Sequence, residues 1–78
     1  MSIREPILPL ATIKRIMKLA GVERVSDDAA DEIRRFVEEL IISLTKDAHR
    51  IAKHAGRKTV TREDVKLVLN LRRLYKII

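Results

Sequence analysis

Two histidines, His49 and His54, are the first candidates for proton transfer or metal ligation in this 78-residue sequence. Neither chemistry finds the rest of its machinery. The absence of cysteine excludes disulfides and thiolate ligands, and two histidines without a ligand set make a poor metal site. His54 has no accompanying nucleophile. No cofactor-binding loop, nucleophile elbow or carboxylate pair suited to a cleft can be read along the chain. The sequence therefore reads as that of a protein that is not an enzyme, with no metal, no cofactor and no small-molecule substrate.

The other candidates for chemistry are the 17 lysines and arginines, which exceed the 11 acids and give a net charge of +6. Their distribution is uneven. Residues 1–24 carry +3, residues 25–55 carry −2 and residues 56–78 carry +5. Two basic flanks around a balanced middle attract a polyanion, although a total of +6 is equally compatible with a solvated mixed-charge surface. Phe36 and Tyr75 are the only aromatic residues. Stacking platforms of the kind that hold single strands or RNA are thus not available. Double-stranded DNA, held through its phosphates, needs none.

These charges must be carried on helices. Pro6, Pro9, Gly21 and Gly56 punctuate three helical segments, and no repeat or linker interrupts them. The first helix is predicted over Pro9–Ala20, with Pro9 in its first turn, Leu10, Ile13, Ile16, Met17 and Ala20 on one face, and Gly21 as its stop. Ser26 is placed to cap a second helix whose first turn holds Asp27 and Asp28. That helix is predicted to run to Ala55, 29 residues or roughly 43 Å, with a continuous apolar face from Ala29 through Phe36 and Leu44 to Ala55. Beyond Gly56, the basic stretch Arg57–Thr61 leads to a third helix, with Thr61 and Asp64 forming a near capping box. A helix near 43 Å is too long for two short helices of the same chain to cover. Crossing two central helices from two chains covers it, so a dimer is expected; a three-helix bundle with one overlong helix is the alternative. The short N-terminal apolar run is no signal peptide, and no segment reaches membrane-spanning length. Together with the absence of cysteine, this fits a cytoplasmic protein.

Two stretches carry a family resemblance. Ala20-Gly21-Val22-Glu23-Arg24-Val25-Ser26-Asp27-Asp28-Ala29 resembles the first-loop region of archaeal histones. Ala52-Lys53-His54-Ala55-Gly56-Arg57-Lys58-Thr59-Val60, followed by Glu63-Asp64-Val65, resembles their second-loop region. The likeness covers about residues 8 to 74 and implies an all-α histone fold. In that fold short, long and short helices form a handshake dimer, with the first loop of each chain beside the second loop of its partner. Residues 1–78 are then a single histone-fold domain, with an N-terminal extension at 1–8 and an apolar C-terminal extension at 75–78.

The resemblance implies a function and its residues. The partner would be double-stranded chromosomal DNA, bound, bent and compacted with little regard for sequence. A homodimer would assemble to a tetramer or larger on DNA, in a cytoplasmic, chromosome-associated setting. Arg24 would enter the minor groove, Lys58 and Thr59 would hold phosphate, and Arg15 would contact phosphate from the first helix. Arg57 and Asp64 would clamp the second loop to the third helix. His54, Asp64 and Leu67 would meet their counterparts between dimers. His49 reads as solvent-facing. Arg35 and Lys66 stand where wrapping members have opposite charges, and Asn70 stands where Glu39 would find a cation, so stacking of successive dimers is expected to be weakened. Leu67, Leu71, Leu74 and Ile78 form one stripe on the third helix, flanked by Tyr75 and Ile77. The longer helix would either fold back on its own dimer or add an interface that bridges two duplexes. The rival function is a histone-fold interaction module of a transcription complex; Arg24 and Lys58 weigh against it.

Overall fold

A computed structural model of the chain describes residues 4–77, with side chains through Lys76. It contains three α-helices: α1, Leu10–Lys18; α2, Asp27–His54; and α3, Arg62–Leu71, followed by a short 3-10 helix, Leu74–Ile77. No strand occurs among the described residues. Two compact units divide the chain between Leu40 and Ile41, within α2.

In the first unit, Pro9 does not enter α1. It stands just before the helix as its extended N-cap, at φ −65° and ψ 136°, where its missing N–H costs nothing. The helix also ends earlier than its apolar period suggests. Leu19, Ala20 and Gly21 donate to the carbonyls of Ile16, Met17 and Lys18 at 3.0–3.1 Å, tightening the last turn. Gly21 then leaves at φ +96°, a conformation that a side chain would disfavour. Ser26 caps α2: its hydroxyl accepts from Ala29 N–H at 3.1 Å, and its carbonyl accepts from Ala30 N–H at 3.1 Å. Lys14 of α1 pairs with Asp27 at the start of α2 at 2.7 Å. Ile13 and Ala30 are the buried apolar residues of this unit.

Glu38 organises the segment ahead of α1. Its side chain is almost wholly buried, the residue being 5% exposed. It accepts from Arg4 Nη1 at 2.8 Å, Ile7 N–H at 2.8 Å and Leu8 N–H at 2.7 Å. Arg34 Nη1 donates to the Leu8 carbonyl at 3.2 Å, so the segment is held on both of its backbone edges. These donors, the Leu8 amide first, hold the Glu38 carboxyl below its ordinary value of 4.5. A depressed folded value means the contribution is present above pH 4.5 and disappears as pH falls through that lower value. Amide exchange at Ile7 and Leu8 is therefore expected to be slow at neutral pH and to accelerate in acid. In Glu38→Gln it should be about tenfold faster already at neutral pH, since the lost bonds are charge-assisted. Unchanged protection in that variant would show that the segment is held by something else.

In the second unit, α2 closes on Gly56 at φ +71°. Gly56 N–H donates to Lys53 O and Arg57 N–H to Ala52 O, both at 2.9 Å, the paired bonds that end a helix on a left-handed glycine. The capping box at α3 is complete. Thr61 Oγ1 accepts from Asp64 N–H at 3.4 Å, and the Asp64 carboxylate accepts from Thr61 N–H at 2.9 Å. Ala48, Ala52 and Val68 are buried here.

The continuous C-terminal stripe does not form. α3 stops at Leu71, Arg72 is its C-cap, and Arg73 turns the chain in the left-handed region at φ 58°. The Arg72 guanidinium is held by the Asp47 carboxylate and by Ser43 Oγ at 3.0 Å, which fixes the end of α3 against α2. The following 3-10 helix lies back against α3. Leu71 is left 71% exposed while Leu74 is half-buried. Met1–Ile3, the side chain of Ile77, and Ile78 at the end of the expected stripe lie outside the described residues.

Candidate nucleic-acid interface

The two loops that interrupt the helices display cations of two kinds, those committed to an acid and those that are not. Arg24 lies in the first loop, exposed, between the Gly21 turn and the Ser26 cap. Lys58 and Thr59 are exposed in the second loop, between the Gly56 turn and the Thr61 cap. Arg15 is exposed on α1. None of Arg15, Arg24 and Lys58 makes an ion pair among the described residues. Lys14, beside Arg15, is occupied by Asp27.

Arg57 is committed. Its Nη1 and Nη2 donate to the two Asp64 carboxylate oxygens at 2.8 Å each, and Nη1 also donates to the Thr59 carbonyl at 3.1 Å. One guanidinium thus joins the second loop to the first turn of α3. The Arg57 hydrogen bonds, followed by that from Thr61 N–H, hold the Asp64 carboxyl far below its ordinary value of 3.8. Asp64 in turn raises Arg57. The pair's contribution to stability is present above pH 3.8 and is lost as pH falls through the lowered Asp64 value.

Asp64 is only 3% exposed, whereas His54 and Leu67 lie on the surface. The three residues expected to meet another dimer thus differ. His54 and Leu67 are accessible, but the Asp64 carboxylate already receives Arg57, Thr61 N–H and Thr61 Oγ1. Arg35, expected to repel in a stack, is paired with Asp31 at 2.9 Å, which offsets part of its charge. Lys66 is exposed. His49 is exposed at the rim of a hollow of about 340 Å³ shared with Ile41, Ile42, Thr45, Lys46 and Val60.

The charge asymmetry is sharper than the sequence thirds suggested. Residues 41–78 carry ten lysines and arginines against three acids, and residues 1–40 carry seven against eight. No group of three histidines and carboxylates among the described residues could hold a metal ion. No described helix is long and apolar enough to cross a membrane. An exposed, aromatic-poor surface with unpaired loop cations is suited to the phosphates of a duplex.

A family model for histone-like transcription factors (CBF/NF-Y) and archaeal histones matches residues 6–69. The chain is 50% identical over 62 residues to the archaeal histone HAN1 of Thermococcus zilligii, covering 80% of this chain and 92% of that protein. It is 44% identical over 62 residues to probable archaeal histone 3 of Methanocaldococcus jannaschii, with the same two shares, 80% and 92%. To DNA-binding protein HmvA of Methanocaldococcus jannaschii it is 42% identical over 60 residues, 77% of this chain and 62% of that protein.

Proposed function

The chain belongs to the family of histone-like transcription factors and archaeal histones, and we propose that it binds, bends and compacts double-stranded DNA as an archaeal-type histone. Its short–long–short helices are those of the histone fold. It is a chromosome-associated, non-enzymatic protein that works as a dimer, within a single histone-fold domain that spans the chain and in a cytoplasmic setting. The observation that carries the reading is the pair of exposed, unpaired loop cations, Arg24 and Lys58, each beside a helix end closed on a glycine. Arg24 suits a narrow minor groove with its strong negative potential, as in histone octamers. Lys58, Thr59 and Arg15 suit phosphate. The Arg57–Asp64 clamp holds the second loop in place for that contact.

Titration of duplexes of unrelated sequence at graded salt tests this reading. If a bound dimer neutralises about six phosphates, log K falls with log salt at a slope of roughly −5. Affinity insensitive to salt would favour the rival role, a protein-interaction module of a transcription complex.

Further assembly on DNA, to a tetramer or larger, runs through His54 and Leu67, with Asp64 supporting the site from beneath. Glu39 Oε1 is buried without a hydrogen-bond partner among the described residues, which leaves an acceptor for a donor from another chain. Leu67→Glu is expected to keep the dimer folded and to shift complexes on long DNA to smaller mass, because a carboxylate buried between dimers has no partner there. Complexes of unchanged mass on long DNA would place the joining surface elsewhere.

A further inference from the structure

We propose that the hollow lined by Arg50, Lys53 and His54 on α2 is a binding site for a phosphate group. These residues stand at i, i+3 and i+4 on one face of the helix, around a hollow of about 320 Å³. All three side chains lining it can carry positive charge.

Cations in a last helical turn ordinarily answer the partial negative charge of the helix end. That accounts for Lys53 and His54 but not for Arg50, one turn earlier. The terminal carbonyls of Ala52 and Lys53 are moreover already satisfied by the Arg57 and Gly56 amides. Lys53 and His54 make no hydrogen bond or ion pair among the described residues, so their donors are open to a ligand. Arg50 is steadied by Asp47 at 3.2 Å while its side chain stays 72% exposed. Asp47 is itself held by Arg72, so the acid that positions Arg50 is fixed in place.

The donor set selects the chemistry. A guanidinium fork, an ammonium point charge and an imidazole together match a multiply charged, many-oxygen anion better than a single carboxylate. The volume falls at the lower end of small-ligand sites, roughly 300–1,000 Å³, which gives room for a short phosphate chain. The phosphate could belong to a free oligophosphate or to a DNA backbone, and the two are separable. Lys53 and Arg50 lie outside the loop residues assigned to DNA above, and the site stands whether or not that assignment does.

The test uses the full chain without DNA and inorganic tripolyphosphate as the probe, followed by NMR at the His54 ring and the Lys53 and Arg50 side chains. Saturable shifts confined to these three residues are expected. Arg50→Gln and Lys53→Gln should each weaken binding about tenfold, the loss of one charge-assisted contact. Lys76→Gln, which removes the same net charge elsewhere, should not. Circular dichroism of each variant confirms that the helices persist. Shifts spread evenly over all basic residues, no saturable shift, or equal weakening by all three variants would overturn the proposal. Where the site is confirmed, a DNA titration assigns the source. A salt slope made shallower by about one per lost contact in Lys53→Gln points to the DNA backbone, and an unchanged slope to a free oligophosphate.

Discussion

Phe36→Asp is expected to abolish the folded state at concentrations where the unsubstituted chain is a helical dimer. Phe36 is one of only two aromatic residues in the chain, yet it is 64% exposed in a single chain. Ile33 and Ile41, on the same helix, are also exposed. The buried apolar set is Ile13, Ala30, Ala48, Ala52 and Val68, and no large side chain among the described residues is fully buried. A chain of this size ordinarily has a net stability of only about 4–12 kcal/mol. Fully burying one large apolar side chain is worth about 1.5–3 kcal/mol. Three such residues on α2 thus hold an energy comparable to the whole, and a second chain is needed to realise it. An aspartate at position 36 of both chains would instead bring two carboxylates into the contact. The expected result is loss of most of the helical circular dichroism and sedimentation as an expanded monomer. The unsubstituted protein should melt at a temperature that rises with its concentration. A helical, monomeric Phe36→Asp chain with concentration-independent melting would show that folding needs no second chain.

The parts of this molecule that could be read beforehand are those governed by local chemistry. Gly21 and Gly56 supply left-handed turns, Ser26 accepts from Ala29 N–H, and Thr61 with Asp64 forms a reciprocal cap over four residues. Each of these signals is complete within one turn of chain. What escaped depends on partners far apart in sequence. The end of α3 at Leu71 carries no glycine or proline to announce it. The apolar period runs straight through Arg72 and Arg73, and the stop accompanies a contact from Arg72 to Asp47 and Ser43, 25 and 29 positions away. Glu38 looked like one more acid in a balanced helix, because nothing local links it to Arg4, Ile7 and Leu8, which lie 30–34 positions earlier. The candidate site divides in the same way. Residue type and loop position singled out Arg24 and Lys58, whereas the commitment of Lys14 to Asp27 and of Arg35 to Asp31 is visible only once the helices are in place.

That division between committed and uncommitted cations yields the second large effect. Arg24→Ala and Lys58→Ala are each expected to weaken duplex binding about a hundredfold at low salt. A dimer presents each residue twice, and each charge-assisted contact to the backbone or groove accounts for about a factor of ten. Neither residue has an intramolecular ion pair to lose, so the dimer's melting should barely move. The two variants should nevertheless fail differently. Lys58 meets phosphate, which is the same at every position, so its loss should lower affinity uniformly and make the salt slope shallower by about two for the pair. Arg24 reads groove width, so its loss should also flatten the preference for readily bent duplexes over stiff ones. Arg57→Ala supplies the contrast. It leaves the buried Asp64 carboxylate without its guanidinium, and should lower the melting temperature at neutral pH as well as DNA affinity. Below pH 3.8, where protonated Asp64 no longer needs Arg57, the stability gap between Arg57→Ala and the unsubstituted chain should narrow. The measurements are paired: affinity on a stiff and a flexible duplex across a salt series, and melting across a pH series. Equal losses on both duplexes for Arg24→Ala, or a Lys58→Ala slope identical to that of the unsubstituted chain, would mean that the loops do not divide the work in this way.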